Sequence, residues 1–503
     1  MTPLTSIFIV GGDRVSWMVA STLAQCLPGV AISLLDPGAE ADSYMADALN
    51  GDQQALFASL GLSWQEVLVH ARGTYKLANS YTKQASAAYH GLGEFGPSVE
   101  LLEANQLLAR LRSLGSHLDP VKFAPELERC SVNAWAARKG RFAFPEEQVE
   151  GLPLAWGIHF NAEIFTHFMR QRTQALGVRI IPQDLAKVAL DEAGSIDFVT
   201  SADGTEWRAD LYIDCSGSTS RMLGQALGVG FESWERWLPY DSCLVASHPH
   251  VTPFHPVTEF QQLAQSSRNV CLKRTPLRDR MAVELYYTQA ELSDAAAAEL
   301  LAIYASQTVA SSFKQVRIQP GRRRHLWQKN CIAMGGAAVD LGNLGYSSTF
   351  TTLRALLRLL EFFPAQEGNE RLSAEYNRVL GDEFDNLRDG QLLQQLWLDD
   401  VDLPAQVHLA NLPPSLDYKL SVYFATGRYV FGENELISKE QWLSLLMTLD
   451  FWPEHTDLLA EAYSGAQLQQ LYLAYVAAVE QQVAKLPQHL YHLANFLKKT
   501  KSH

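Results

Sequence analysis

The stretch "IFIVGGDRVSWMVASTLAQCLPGVAISLLDPG", residues 7–38, predicts a βαβ unit. An apolar strand leads into Gly11 and Gly12, a helix follows, and a second apolar strand ends at Asp36. This order is typical of a dinucleotide-binding unit, in which the helix N-terminus faces the pyrophosphate and an acidic residue after the second strand binds the ribose. We therefore expect these three residues to contribute to a cofactor site.

The glycine turn departs from the G-x-G-x-x-G pattern at two positions. Asp13 replaces the glycine that lets the backbone approach the pyrophosphate, and Ser16 replaces the one that lets helix and strand pack closely. A carboxylate about 4 Å from a phosphate charge costs roughly 4 kcal/mol at an effective dielectric constant of about 20, or about three decades in affinity. We therefore expect weak or lost cofactor binding, unless Arg14 offsets the charge by pairing with Asp13 or with phosphate.

The composition is that of a globular protein: 503 residues, 47% apolar and 19% charged. A formal net charge of −14 argues against nucleic-acid binding, which requires the neutralisation of phosphates. The sequence contains neither a run of about 18 apolar residues nor a signal-peptide pattern, so no membrane span and a cytoplasmic location are expected. The cysteines are scattered without a C-x-x-C pair, so neither disulfides nor a metal site is expected.

Two later segments repeat the order of strand, glycine and helix. Residues 208–228, "RADLYIDCSGSTSRMLGQALG", contain Gly217, and residues 329–363 contain Gly335 within "KNCIAMGGAAVDLG". Ligands of open α/β sheets bind at the carboxyl ends of the strands, so separated segments that converge in this way indicate a flavin-binding fold. The basic run "GRRRH" (321–325) has two interpretations, a solvated strand end or a contact with an anionic cofactor.

Several long segments together resemble one protein family. They include "IVGGDRVSWMVASTLA" near the N-terminus, "RGTYKLANSYT" around Lys76, "DCSGSTSRMLGQALGVGFESWERWLPYDSCLV" (214–245), "PGRRRHLWQKNCIAMGGAA" (320–338) and "LPPSLDYKLSVYFATGRYVFGENELISKEQWLSLL" (412–446). In these segments, which are spread over nearly the whole length, the chain resembles the flavin-dependent tryptophan halogenases.

The resemblance implies an α/β fold with a flavin-monooxygenase-like FAD-binding domain over residues 1–365, a substrate-binding sheet interleaved with it, and a helical C-terminal region over 366–503. It implies FAD, used as FADH2 and supplied by a separate flavin reductase, and an indole-type or other aromatic substrate. Lys76 takes the position of the catalytic lysine, which holds the hypohalous acid formed from halide beside the substrate. The residues implied for the cofactor are Gly11, Gly12, Asp13, Ser16, Asp36, Gly217 and Gly335. The resemblance is compatible with both a monomer and a homodimer.

The chain departs from the family where the chemistry takes place. The position of the family's catalytic glutamate is Gly345, followed by Tyr346, and the halide-binding backbone lies near Ser347 and Ser348. The segment "CLKRTP" (271–276) lacks both tryptophans of the family pattern, and "YMADALNGD" (44–52) replaces a glycine-containing flavin strap.

Three hypotheses follow for the function. The first is FADH2-dependent halogenation of an indole or other arene through Lys76, with another group in place of the glutamate. The second is a non-catalytic binding protein or a partner of an intact halogenase. The third is oxygenation of the substrate without halide. The resemblance favours the first hypothesis, and the altered turn, strap and glutamate position favour the second.

Overall fold

The structure is a computed structural model that describes residues 4–38, 44–59, 61–83, 86–99, 102–114, 127–147, 151–250, 253–263, 270–305, 313–364, 370–398 and 411–500. The strands, in chain order, are β1 (Ser6–Val10), β2 (Ala31–Leu35), β3 (Ala46–Leu49), β4 (Thr74–Lys76), β5 (Ala78–Lys83), β6 (Ser86–Gly91), β7 (Gly157–Asn161), β8 (Arg179–Ile181), β9 (Leu185–Leu190), β10 (Ile196–Ser201), β11 (Glu206–Trp207), β12 (Leu211–Asp214), β13 (Phe231–Ser233), β14 (Ser242–Pro249), β15 (Val257–Gln262), β16 (Val270–Pro276), β17 (Arg280–Tyr287), β18 (Lys314–Arg317), β19 (Gly321–Arg323), β20 (Trp327–Gln328), β21 (Cys331–Ala333) and β22 (Val339–Asp340). The α-helices are α1 (Arg14–Cys26), α2 (Gln54–Ser59), α3 (Trp64–His70), α4 (Ala104–Leu114), α5 (Val132–Arg138), α6 (Ala162–Ala175), α7 (Asp294–Tyr304), α8 (Ser348–Glu361), α9 (Glu370–Leu398), α10 (Pro414–Thr426), α11 (Lys439–Thr448), α12 (Leu458–Glu461), α13 (Gly465–Lys485) and α14 (His489–Thr500).

A six-stranded sheet in the order β20-β21-β12-β1-β2-β8 organises the N-terminal part of the fold. All its neighbouring strands are parallel except β20 and β21. The registers place Val10 beside Asp214, and Asp214 beside Ala333, so the carboxyl ends of β1, β12 and β21 meet at one edge. The predicted α/β fold is confirmed by this sheet.

Helix α1 connects β1 to β2 and packs against α6 and α8. Its residues from Val15 to Leu23 are buried, including Trp17 and Met18. A helix covered on several sides requires apolar or small residues around most of its circumference, and the sequence "VSWMVASTL" provides them. The start of α1 is thereby fixed at the edge where the glycine turns lie.

A second sheet has seven strands in the order β18-β14-β17-β16-β15-β5-β6, and a small sheet in the order β3-β7-β4 lies beside it. The apolar spacing of three and four over residues 46–71 predicts two amphipathic helices. This prediction is wrong for the first residues, because Ala46–Leu49 forms strand β3 and pairs with β7. Alanine and leucine favour helices locally, but the backbone hydrogen bonds offered by β7 outweigh this weak preference. The two helices are the shorter α2 and α3.

The described residues beyond 370 are mainly helical, as the sequence predicts. The proposed boundary between residues 365 and 366 lies outside the described residues. Helix α9 is tied to α8 by the buried Glu383, which pairs with Arg354 and, at 2.6 Å, with Arg358. Within the described ranges, no helix has both the length and the apolar character needed to cross a membrane.

Candidate functional site

The three glycine turns lie in contact at the carboxyl edge of the parallel sheet. A Cβ atom added at Gly11 would lie 2.5 Å from the carbonyl oxygen of Cys215, and one added at Gly336 would lie 3.4 Å from the Cα of Gly217. Gly335 has φ +59°, and its added Cβ would lie 2.7 Å from the side chain of Val15. Gly11 and Gly335 therefore require glycine, the first for close approach of the backbone and the second also for its conformation.

Asp13 is the N-cap residue of α1. Its Oδ1 accepts a hydrogen bond of 3.1 Å from the Ser16 N–H, and the Ser16 hydroxyl donates to the Asp13 carbonyl at 2.7 Å. The turn is closed further by the indole N–H of Trp17, which donates to the Gly12 carbonyl at 3.2 Å. A carboxylate thus lies at the helix N-terminus, where a phosphate would otherwise bind.

Asp36 is buried at the end of β2. Its carboxylate accepts a hydrogen bond of 3.0 Å from the Gly38 N–H and lies 3.8 Å from the guanidinium of Arg170. The structure therefore places Gly11, Gly12 and Asp36 in the relative order that the βαβ unit predicts.

Arg14, the first residue of α1, connects this turn to two other segments. Its side chain is 1% exposed, lies 3.1 Å from Asp47 on β3 and donates a hydrogen bond of 2.8 Å to the Ser348 hydroxyl. Thr349 also donates to Asp47, at 2.6 Å. From the sequence, only Asp13 and phosphate were expected as partners of Arg14. Asp47 was not predicted as a partner, because it has no motif of its own.

Ser347 and Ser348, the residues predicted near a halide, lie at the N-terminus of α8. The Ser347 hydroxyl is the N-cap and accepts a hydrogen bond of 3.2 Å from the Phe350 N–H. The positive end of the helix dipole and its free N–H groups favour an anion at this point.

Lys76 ends strand β4, opposite Gly157 on β7. Its side chain is 3% exposed and, among the described residues, makes no hydrogen bond or ion pair. Burial and, to a lesser degree, the charge of Lys273 lower the pKa of Lys76 to about 7, while Asp47 acts in the opposite direction. The lowered pKa gives Lys76 a larger fraction of neutral amine near pH 7 than an exposed lysine has.

A second buried lysine, Lys273, was missed by the sequence analysis. It lies opposite Glu284 in the β16–β17 pair, and the two side chains form an ion pair of 3.0 Å. Its ammonium also donates to the Asn343 carbonyl, and the Tyr286 hydroxyl donates to Glu284 at 2.5 Å. Charged residues inside the otherwise apolar strands "CLKRTP" and "MAVELYY" are the signal that could have revealed this pair.

A larger side chain at Gly345 requires two neighbouring glutamine side chains of α9 to move. Its N–H donates a hydrogen bond of 3.2 Å to Gln391 of α9, and an added Cβ would lie 2.9 Å from the amide oxygen of Gln394. The adjacent Tyr346 is buried, and burial raises its pKa, so it remains neutral. Two amides of α9 therefore occupy the space beside the position of the family glutamate.

The basic run at 321–325 is only partly solvated. Arg322 pairs with Asp385 at 2.9 Å, while Arg323 donates to the Ser218 carbonyl at 3.4 Å, beside the Gly217 turn. Arg324 lines a separate cleft of about 1030 Å³ near the amino ends of β1 and β12. No group of His, Cys, Asp or Glu suited to a metal ion occurs in the part of the chain that the structure describes.

Comparisons with known proteins extend over most of the chain. A sequence model of the tryptophan halogenase family matches residues 6–465. The tryptophan 7-halogenase RebH from Lentzea aerocolonigenes is 26% identical over 408 residues, which are 77% of this chain and 75% of RebH.

Solved structures extend the likeness to the whole fold. BrvH, a flavin-dependent halogenase from Brevundimonas sp. BAL3, superposes with a TM-score of 0.87 at 26% identity over 98% of this chain and 99% of its own. Xcc4156, a flavin-dependent halogenase from Xanthomonas campestris, gives a TM-score of 0.88 at 24% identity over 98% and 99% of the two chains.

Proposed function

Because this chain belongs to the tryptophan halogenase family, we propose that it is an FADH2-dependent halogenase of an indole or another aromatic substrate, with Lys76 as the residue that delivers the halogen. The observation that carries the proposal is the state of Lys76. It is buried, has no described partner, and burial lowers its pKa to about 7. An enzyme that uses lysine as a nucleophile requires a neutral amine of this kind.

The residues at the glycine turns fit FAD in part. Gly11 and Gly335 let the turns pack closely against Cys215 and Val15, the space beside Gly217 is open to 4 Å, and the buried Asp36 is placed to accept from a ribose hydroxyl. Asp13 opposes the pyrophosphate, so we propose weak binding. When bound in its reduced form, FAD supplies with O2 the oxidising power that converts halide to hypohalous acid, and a separate flavin reductase provides the reduced form.

The other residues of the site have proposed roles in binding. The N–H groups near Ser347 and Ser348, at the start of α8, are placed to bind halide. Arg14 donates to the Ser348 hydroxyl and so orders this end of the helix. Lys76 receives the halogen and passes it to the aromatic carbon.

A second candidate function is a binding protein without turnover. It is favoured by two observations, the Asp13 carboxylate at the start of α1 and the α9 amides that fill the space beside Gly345. Such a protein would bind an aromatic ligand, or an intact halogenase, without using flavin.

An assay with a flavin reductase, NADH, FAD, bromide or chloride and a panel of indoles tests the proposal. We expect a halogenated product, detected by mass spectrometry, that is lost in Lys76→Met and retained in Lys187→Met, an exposed lysine on β9 that serves as the control. An amount of halogenated product equal to that formed without the protein would refute halogenation by this protein. Indole binding without product would support the second candidate.

A further inference from the structure

Strand β4, which ends at Lys76, is short and lies at the edge of its sheet. It has three residues, Thr74–Lys76, and pairs with β7 in the order β3-β7-β4. A strand of three residues forms few main-chain hydrogen bonds, so side-chain contacts have a large share in fixing its position. Side chains alternate between the two faces of a strand, so Tyr75 points away from the face of Lys76. A contact that holds Tyr75 therefore fixes the rotation of β4 about its axis and, with it, the direction of the Lys76 side chain.

The Tyr75 side chain is held inside a cluster of aromatic rings. It is fully buried, and its ring stacks on Phe142 with a centroid distance of 3.8 Å and an interplanar angle of 17°. The rings of Phe144 and Trp156 meet it edge-on, with centroid distances of 5.6 and 6.2 Å. A buried tyrosine hydroxyl needs a hydrogen-bond partner. The partner that the described residues provide is Nδ1 of His492, at 3.0 Å.

His492 belongs to helix α14 and is itself bound to a carboxylate. Its Nε2 lies 2.7 Å from Oε2 of Glu147, which also accepts a hydrogen bond of 2.9 Å from the Phe144 N–H. Burial raises the pKa of Glu147, but these two hydrogen bonds outweigh burial and hold the pKa below its ordinary value, so the carboxylate is ionised near pH 7. The ionised carboxylate requires the proton on Nε2, and in the neutral ring Nδ1 is then the acceptor for the Tyr75 hydroxyl. The three side chains thus form one chain of hydrogen bonds that leads to strand β4.

Helix α14 is fixed to the body of the protein by contacts other than Tyr75. The His489 N–H donates to the Gly140 carbonyl at 2.9 Å, and its Nε2 lies 2.7 Å from the Phe254 carbonyl oxygen. One turn after His492, the ring of Phe496 packs within the same aromatic cluster. The sequence model of the family ends at residue 465, so α14 lies beyond the residues that it matches. His492 is therefore carried by an element whose position does not depend on Tyr75.

We propose that His492 is a positioning residue, which acts through the Tyr75 hydroxyl to hold Lys76 in the site. On the opposite face of β4, the Thr74 hydroxyl donates to the Pro276 carbonyl at 2.7 Å, so the strand is held from both sides. The inference rests on the proposed function for the role of Lys76 in catalysis. It assigns no step of the reaction to His492, whose two ring nitrogens only fix the hydroxyl of the neighbouring strand.

Hydrogen exchange of flavin-free protein, followed by mass spectrometry, tests this anchor. Tyr75→Phe removes the hydroxyl and keeps the stacked ring, so we expect peptides that contain β4 to exchange about fivefold faster, the effect of one lost hydrogen bond. Tyr491→Phe removes an exposed hydroxyl from α14 and should leave this exchange unchanged. An unchanged rate for β4 in Tyr75→Phe would overturn the inference. Faster exchange by the same factor in peptides of β1 would also overturn it, because it would show a general loss of stability.

A second measurement follows Lys76 itself, by NMR of protein labelled with 13C at the lysine Cε, with the signal assigned from Lys76→Met. Burial is the main cause that lowers the pKa of Lys76, so a side chain that leaves its buried position for part of the time should titrate at higher pH. We expect the midpoint to rise by about half a pH unit or more in Tyr75→Phe and in His492→Leu. Unchanged midpoints in both variants, with circular dichroism as the check of folding, would overturn the inference.

The combination of the two substitutions shows whether His492 acts through Tyr75. The double variant Tyr75→Phe, His492→Leu should exchange at β4 no faster than the more affected single variant, because both substitutions break the same contact. Effects that add up in the double variant would contradict this route. Glu147→Gln, at a half-exposed side chain, takes the place of His492→Leu if the latter does not fold.

The halogenation assay adds a kinetic readout. In an active wild type, Tyr75→Phe and His492→Leu should lower kcat about tenfold or more and leave KM for the indole unchanged, since a misplaced reactive group slows the reaction without weakening substrate binding. Unchanged kcat in both variants would overturn the inference. Absence of product with the wild type would count against the proposed function alone, and the exchange and NMR results would still decide whether the anchor exists.

Discussion

At the scale of single residues, Asp13 has two opposing effects. It caps α1, and it places a negative charge where the pyrophosphate of FAD would lie. Asp13→Asn keeps a capping side chain and removes the charge, so we expect FAD to bind about tenfold more tightly or better. Fluorescence titration measures this, with the exposed Asp203→Asn as the control. Equal affinities of wild type and Asp13→Asn would show that charge repulsion is not the limiting factor.

Lys76 should make the stability of the fold depend on pH. Its pKa is about 7 in the folded protein and about 10.4 in the unfolded chain, so the unfolded chain binds more protons between these values. The free energy of unfolding therefore rises with pH over this window, and below pH 7 the full cost of burying Lys76 is present. We expect Lys76→Met to be more stable at pH 7 by on the order of a few kcal/mol, a difference that disappears near pH 10.

Urea unfolding of both proteins from pH 6 to 10 measures this difference, and Lys187→Met is again the control. A stability difference between wild type and Lys76→Met that does not change with pH would contradict a lowered pKa of Lys76.

Gly345→Glu would place a glutamate at the family position, but in this protein we expect little gain in activity and a lower Tm. The added Cβ lies 2.9 Å from the amide oxygen of Gln394, so this flexible side chain has to move, and the cost should lie at the lower end of the about 1–3 kcal/mol that overpacking takes. Gly345→Glu combined with Gln394→Ala should recover most of the Tm. Product analysis and thermal unfolding of both variants check this, and strong halogenation by Gly345→Glu alone would contradict it.

At the scale of elements, local patterns predicted the β1–α1–β2 unit and the strand and helix around Gly335, because each has a continuous apolar run that ends at a glycine. Strand β3 was not predicted, since its four residues become a strand only through pairing with β7. The N-cap role of Asp13 was also missed, although a cap residue and Ser16 can be recognised from sequence alone.

The contact between the ends of β1 and β12 predicts an element-scale effect. Gly11→Ala would force its Cβ against the Cys215 carbonyl and separate the strand ends, so we expect a loss of about 1–3 kcal/mol in stability together with loss of FAD binding. Gly29→Ala is the control, because nothing lies within 4 Å of its added Cβ. Equal free energies of unfolding for the two variants, measured by urea unfolding, would contradict this account.

At the scale of the whole molecule, long motifs identified the fold because they extend over most of the chain. The arrangement around Lys76 could not be predicted in the same way. Lys273 and Glu284 meet through a hairpin, but the contact of Lys273 with the Asn343 carbonyl depends on how distant segments come together.

The proposed weak binding of FAD also has a consequence for the stability of the entire protein. A ligand that binds only the folded state stabilises it by about 2.7 kcal/mol at 100 times its Kd. We expect the Tm to rise with FAD only at high concentration in the wild type, and at lower concentration in Asp13→Asn. A Tm that FAD leaves unchanged in both proteins, combined with a rise on adding an indole, would favour the binding-protein function.

The buried contact of Arg14 with Asp47 and Ser348 joins the start of α1, the strand β3 and the start of α8. Substitutions of Arg14, Asp47 and Ser348 should therefore have non-additive effects on the free energy of unfolding, because residues in one network share their partners. For the evolution of this protein, the order of mutations matters, because a change at residue 14 or 47 that is tolerated beside one set of neighbours can be destabilising beside another. Attempts to convert the site stepwise into that of a relative should pass through inactive intermediates, unless all three residues of the network change together.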